Sequence, residues 1–129
     1  LWFNLSHSGD DIALLMSDEG EVGCDIEVIR PRENWQALAN AVFSLTEHDE
    51  LEREAPEEQL SAFWRIWTRK EAIVKQRGGS AWQIVSIDST AQTLPVSQLR
   101  FGSLSLAVCT PTPFTLTAEA VTYSGISAA

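Results

Sequence analysis

Residues 67–75 read Trp67-Thr68-Arg69-Lys70-Glu71-Ala72-Ile73-Val74-Lys75, which places a carboxylate between two ammonium groups in an aromatic-rich segment of helical character. Residues four positions apart lie on one face of a helix, so Trp67, Glu71 and Lys75 are predicted to form a stripe, with Lys70 beside it. A second, apolar stripe is suited to a protein core: Phe63, Ile66 and Ile73. The helix is therefore predicted to pack through one face and to carry an acid and two bases on the other. An ordinary amphipathic helix with i,i+4 ion pairs is the alternative.

A second segment, Val22–Ile29, alternates apolar and acidic residues with the period of two that indicates a β-strand. Asp25 and Glu27 share one face of this strand with Gly23. The opposite face carries Cys24, Ile26 and Val28. Two carboxylates on one strand face repel each other unless a cation or solvent lies between them, and Mg²⁺ accepts such an oxygen set. We therefore expect Asp25, Glu27 and Glu71 to hold Mg²⁺; the alternative is a solvated polar strand face.

A third segment, Phe3–Gly9, runs from a short strand into small hydroxyl residues, a histidine and a glycine. Hydroxyl groups, an imidazole and a closely approaching backbone are suited to binding a phosphate. A strand that ends in a polar turn is the alternative for this segment.

Together these segments resemble the 4'-phosphopantetheinyl transferases, specifically their larger, surfactin-synthetase-activating type. Four motifs of that type occur in order: phenylalanine-asparagine-x-serine-histidine-serine at Phe3 to Ser8, glycine-x-aspartate-x-glutamate at Gly23 to Glu27, phenylalanine-serine-x-x-glutamate at Phe43 to Glu47, and tryptophan-x-x-lysine-glutamate with a following lysine at Trp67 to Lys75. In the small holo-acyl-carrier-protein synthase type the serine-x-histidine element comes near the C-terminus, so the small type is rejected.

The resemblance implies transfer of the phosphopantetheine arm of coenzyme A to a serine of an acyl or peptidyl carrier protein. It implies Mg²⁺ as the cofactor and 3',5'-adenosine bisphosphate as the leaving group. Coenzyme A is then expected to contact Ser6, His7, Lys70 and Lys75. Glu71 is expected to accept the serine proton, and Lys75 to stabilise the leaving group.

Members of the larger type are about twice as long and consist of two similar halves. The chain is therefore expected to be the C-terminal half, a single domain over residues 1–129, with the N-terminal module absent. Since that module supplies part of the coenzyme A pocket, we expect weakened coenzyme A binding. We also expect an exposed apolar surface that a second copy covers in a homodimer.

Composition sets the remaining limits. A chain of 129 residues that is 44% hydrophobic can bury a substantial core without disulfides. Cys24 and Cys109 lie in apolar strand patterns without metal-binding spacing, so we expect free thiols in a reducing compartment. Because no apolar stretch is long enough to cross a bilayer and no signal region begins the chain, we expect a soluble, cytoplasmic protein with no membrane partner.

The net charge of −9 argues against non-specific binding of nucleic acid. Fifteen of the eighteen acids lie in residues 10–58, whereas five of the nine bases lie between Arg65 and Arg77. The long helix is therefore locally basic, which suits an acidic carrier protein. Arg30 and Arg32 are expected to extend this basic patch toward the carrier, with ordinary solvation as the alternative.

The pattern predicts an α+β fold in which a mainly antiparallel sheet packs against a long helix and shorter helices. Strands are predicted at 2–5, 11–16 and 21–29, the last two joined as a hairpin through residues 17–20. Helices are predicted at 33–43, at 46–54 with a capping pattern from Thr46 to Asp49, and from Pro56 to Arg77. Further strands are predicted at 82–89, 104–109 and 114–123.

Two other classes of function fit the sequence. In the first, the chain would be an inactive fragment that still binds coenzyme A or a carrier protein. In the second, it would be a different Mg²⁺-dependent phosphate enzyme with a similar carboxylate arrangement. Binding of coenzyme A without transfer distinguishes the first class, and failure to modify any carrier protein distinguishes the second.

Overall fold

The computed structural model describes residues 1–120, which form the α+β architecture that the sequence predicts. The strands are β1 (Trp2–Ser8), β2 (Asp11–Ser17), β3 (Gly23–Val28), β4 (Val96–Phe101) and β5 (Leu104–Cys109). The α-helices are α1 (Trp35–Val42), α2 (Leu45–Glu52) and α3 (Gln59–Gln76). Short 3₁₀ segments lie at Pro56–Glu58, Ala81–Ser86 and Ala118–Ala120.

The strands form an antiparallel hairpin of β1 and β2 and an antiparallel three-stranded sheet in the order β3-β5-β4. The predicted hairpin between residues 11–16 and 21–29 is wrong, because β2 pairs with β1. A two-residue turn joins them, since Ser8 faces Asp11 across the pair. Its first residue, Gly9, has φ of +58°, a conformation that glycine adopts readily and that tight hairpin turns require.

The second half of the chain differs most from the prediction. Residues 82–89 do not form a strand; most of that segment is the 3₁₀ turn Ala81–Ser86, which a capping box between Ser80 and Gln83 begins. The strand β4 was not predicted, and it pairs with β5. The predicted strand at 114–123 lies partly outside the described residues, and residues 114–120 are not in a strand.

The predicted helices are confirmed with shorter bounds. Helix α3 follows the 3₁₀ turn at Pro56 and ends before Gly78, whose φ of +66° is typical of the glycine that ends a helix. The cap of α2 is two residues earlier than predicted, because Ser44 and Glu47, not Thr46 and Asp49, form its capping box.

Helix α3 packs against β3, and a glycine permits the close approach. A Cβ atom added at Gly23 would lie 2.1 Å from the carbonyl oxygen of Ala72 and 2.3 Å from the amide nitrogen of Gln76. On the helix, the predicted apolar stripe is buried: Phe63, Ile66 and Ile73. Within residues 1–120, no helix is both long and apolar enough to cross a membrane.

Candidate active site

A cavity of about 560 Å³ lies where β1, the end of β3 and α3 meet. Its lining contains three carboxylates, three cationic side chains, a histidine, a serine and two tryptophans. Nearly all of the site residues that the sequence indicates are among them: Ser6, His7, Asp25, Glu27, Glu71 and Lys75. Three segments far apart in the chain therefore converge on one cavity.

Asp25 is at the centre of the polar contacts in this cavity and is only 4% exposed. Its Oδ1 atom accepts hydrogen bonds from the Ser6 hydroxyl and the Lys75 ammonium, both at 3.0 Å. Its Oδ2 atom is buried and has no hydrogen-bond partner among the described residues. Burial raises the pKa of Asp25, although Lys75 and Ser6 act in the opposite direction. Asp25 therefore has one satisfied oxygen and one buried oxygen that lacks a partner.

The other two carboxylates, Glu27 and Glu71, are half-buried in the same cavity. Burial, with the negative charges of Asp25 and Glu71 adding to it, raises the pKa of Glu27 to about 7. Burial and the charge of Asp25 also raise the pKa of Glu71. The three acids therefore influence one another electrostatically, and an added cation would relieve the repulsion between them.

The predicted metal ligands share this cavity without forming a closed metal centre. Among residues 1–120, no three His, Cys, Asp or Glu side chains are close enough together to form a ready-made metal site. The donor set nevertheless fits Mg²⁺, which binds proteins through one or two carboxylates and completes its octahedron with water and substrate phosphate. The buried Asp25 Oδ2 without a partner is the atom that such a cation would satisfy.

Comparison with known proteins identifies the family. The profile of the 4'-phosphopantetheinyl transferase superfamily matches residues 21–120. The chain belongs to this superfamily. It is 78% identical over 123 residues to "4'-phosphopantetheinyl transferase AcpT" of Salmonella typhimurium, an alignment that covers 95% of this chain and 64% of that protein.

Two further relatives extend the comparison. The AcpT protein of Escherichia coli K12 is 74% identical over 124 residues, which cover 95% of this chain and 64% of that protein. A 4'-phosphopantetheinyl transferase of Bacillus subtilis is 37% identical over 76 residues, or 59% of this chain and 33% of that protein. The chain thus spans slightly less than two thirds of the length of its AcpT relatives.

Within this superfamily domain, Lys70 does not lie where the sequence analysis expects it. Its side chain is fully buried, and its ammonium donates to Glu47 Oε1 at 2.7 Å, to the Val42 carbonyl at 2.7 Å and to the Ile87 carbonyl at 2.5 Å. A lysine has three N–H donors, and all three are used here. The expected contact between Lys70 and coenzyme A is therefore corrected: Lys70 is part of the core.

Glu47, to which the sequence analysis assigned no role, is the partner of Lys70 and is also fully buried. Its Oε1 atom accepts from the Ser44 amide at 2.7 Å, and its Oε2 atom accepts from the amide and the hydroxyl of Ser89. The network ties the start of α2 to α3 and to residues 87–89. The spacing of Ser44 and Glu47, a serine three residues before a glutamate, is the capping-box signal that could have located it.

The two arginines after β3 also lie beside the cavity. Arg30 places its guanidinium 5.1 Å from the centre of the Trp64 ring, and both Arg30 and Arg32 line the cavity wall. A cation over the face of a tryptophan is held by the ring's negative face. Arg30 is thus oriented at the rim of the carboxylate site.

Proposed function

We propose that this domain transfers the phosphopantetheine arm of coenzyme A to a serine hydroxyl of an acyl or peptidyl carrier protein. The observation that carries the proposal is the single cavity lined by Asp25, Glu27, Glu71 and Lys75 in a member of this superfamily. A phosphoryl centre with dispersed negative charge requires cations, and the serine nucleophile requires a base. The cavity contains both kinds of group.

Glu71 is the proposed general base. Its half-buried carboxylate lines the cavity, where it can accept the proton of the serine hydroxyl. Lys75, 28% exposed and paired with Asp25, is close enough to the cavity to stabilise the leaving adenosine bisphosphate. Asp25, Glu27 and Glu71 are the proposed ligands of Mg²⁺, which would supply positive charge at the pyrophosphate.

Coenzyme A is proposed to contact His7 and Lys75, which line the cavity. We also propose that the chain corresponds to the C-terminal half of a protein of the larger type, because its four motifs occur in the order of that type. Residues outside this sequence then complete the coenzyme A pocket. Two buried, free thiols, Cys24 and Cys109, agree with a reducing setting such as the cytoplasm.

A homodimer is proposed because one face of the β1–β2 hairpin is apolar and exposed. Phe3 faces Met16 across the strand pair, and Leu5 faces Leu14. Apolar patches of this kind tend to be covered by association, and a second copy offers the same complementary surface. Light scattering should show a dimer, and the Leu14→Lys variant should be monomeric. A monomeric wild-type chain would contradict this part of the proposal.

Arg30 and Arg32 are proposed to guide the acidic carrier protein toward the cavity. They lie at its rim, so a carrier bound there would place its serine near Glu71. Reversing both charges should lower the association rate with the carrier more strongly than it weakens coenzyme A binding.

The decisive experiment incubates the chain with coenzyme A, Mg²⁺ and an apo carrier protein and measures the mass of the carrier. A gain of one phosphopantetheine group is expected, and Glu71→Gln should lower the rate of this gain by about 100-fold or more. Glu57→Gln is the matched control, because Glu57 is an exposed acid that does not line the cavity. If coenzyme A binds but the carrier is not modified, the chain is a binding fragment. If neither occurs, the proposed transfer is wrong for this chain, and a different Mg²⁺-dependent phosphate reaction is the alternative to test.

A further inference from the structure

Strands β1 and β3 belong to different sheets, and polar side chains of β1 bind the edge of β3 where a backbone ladder would otherwise form. Three polar side chains accept hydrogen bonds from β3 amides: Asn4 from Cys24 at 3.0 Å, Ser6 from Ile26 at 3.1 Å and Ser8 from Val28 at 3.1 Å. Every second residue of a strand points the same way, so this spacing matches every second amide of β3. The polar residues of the Asn4–Ser8 motif therefore fix β1 against the strand that carries the carboxylates.

Ser6 makes one contact more than its neighbours, because its hydroxyl also donates to Asp25 Oδ1 at 3.0 Å. A serine hydroxyl has a single proton, and this side chain is 4% exposed. A fully ionised phosphate offers only acceptor oxygens. The Ser6 hydroxyl therefore has no donor available for a coenzyme A phosphate unless it releases Asp25.

We propose that Ser6 is a positioning residue whose hydroxyl orients the Asp25 carboxylate for a divalent cation. With Oδ1 held by Ser6 and Lys75, Oδ2 is the oxygen left for the cation. This inference rests on the proposed function, in which Asp25 is a ligand of Mg²⁺. It replaces the expectation that the Ser6 side chain binds coenzyme A.

Ser8 provides a matched control within the same strand. It is 7% exposed and accepts the equivalent amide bond from Val28 at 3.1 Å, but it has no carboxylate partner among the described residues. Loss of either hydroxyl removes one hydrogen bond from a β3 amide to β1. Only the loss of Ser6 also releases Asp25, so the difference between the two variants isolates the positioning role.

The first measurement is calorimetric titration of the full chain with MgCl₂ and with MnCl₂. Removal of a group that orients a metal ligand typically weakens metal binding by about 10- to 100-fold, which is the loss expected for Ser6→Ala. Ser8→Ala should weaken metal binding by less than about threefold. Ser6→Thr keeps the hydroxyl and should bind the metal with an affinity close to that of the wild type. Equal affinities of Ser6→Ala and Ser8→Ala would overturn the proposal. If Ser6→Ala does not fold, Ser6→Cys takes its place, since a thiol of similar size is a weak donor.

A second measurement does not depend on the cation. In a double-mutant cycle by urea unfolding, Ser6→Ala and Asp25→Ala should be non-additive by at least about threefold in the unfolding equilibrium constant. Ser8→Ala and Asp25→Ala should be additive. If the wild-type chain binds neither Mg²⁺ nor Mn²⁺, the proposed metal ligands are wrong, and this cycle still decides whether Ser6 holds Asp25. Additivity of Ser6 with Asp25 would refute the positioning role.

Discussion

Replacing Lys70 by methionine separates the two roles that the sequence and the structure assign to this residue. Methionine fills a similar volume and carries no charge. If Lys70 holds a coenzyme A phosphate, the variant should fold normally and bind coenzyme A weakly. If Lys70 is the partner of Glu47 in the core, the variant should lose stability instead.

The size of that loss follows from the three bonds of the ammonium. Its removal leaves the Glu47 carboxylate, which is fully buried, without a counter-charge. Breaking a buried ion pair by removing one partner lowers the free energy of unfolding by about 3–5 kcal/mol. The carbonyls of Val42 and Ile87 also lose a donor, and each such loss is worth about 1–3 kcal/mol, although these terms overlap with the first. Because domains are stable by only about 5–15 kcal/mol, the variant should be close to unfolding.

Urea unfolding followed by tryptophan fluorescence measures this loss directly. Arg77→Met is the control. Arg77 is exposed, directly follows the last residue of the same helix, and its guanidinium donates a hydrogen bond to Gln92. The double variant Lys70→Met/Glu47→Gln should be more stable than Lys70→Met alone, since it no longer buries an unpaired charge. A folded Lys70→Met variant within about 1 kcal/mol of wild type, but with weaker coenzyme A binding, would refute the core assignment.

Three further predictions concern the cavity and its support. Gly23→Ala should lower the free energy of unfolding by about 3 kcal/mol or more, because its Cβ would meet backbone atoms of α3; an unchanged urea midpoint would contradict this close approach. The thermal unfolding midpoint of Glu27→Gln, measured with a chelator present, should change less between pH 5 and 8 than the midpoint of the wild type. Folding raises the pKa of Glu27 from 4.5 to about 7, so its carboxyl stabilises the folded state below pH 4.5 and this stabilisation is lost as the pH rises through 7. The effect on the free energy of unfolding is on the order of 1 kcal/mol after solvent screening. Glu71→Gln should lower the rate of carrier modification by about 100-fold or more with an unchanged thermal midpoint; unfolding of this variant would instead indicate a structural role.

Local periodicity predicted the half of the site that depends on one strand and one helix. The period of two predicted that Asp25 and Glu27 share one face of β3. The separation of four residues predicted that Glu71 and Lys75 share one face of α3, and all four residues line the cavity. Strand partners could not be predicted in the same way, because a strand can pair with another strand that is distant in sequence, and local periodicity carries no information about such contacts. β3 pairs with β5, about eighty residues later in the chain, and no local pattern records that choice.

The spacing of Lys70 along the helix already indicates a position in the core. Lys70 follows Ile66 by four residues and precedes Ile73 by three, so it belongs to the apolar stripe and not to the stripe of Glu71. A charge in that position must find an opposite charge inside the core, because an unpaired buried charge is too unfavourable to persist. The sequence supplies the partner in Glu47, which follows the aromatic Phe43 and ends a capping box. Neighbouring positions on a helix can therefore have different roles: Lys70 holds the helices together, and Glu71 faces the cavity.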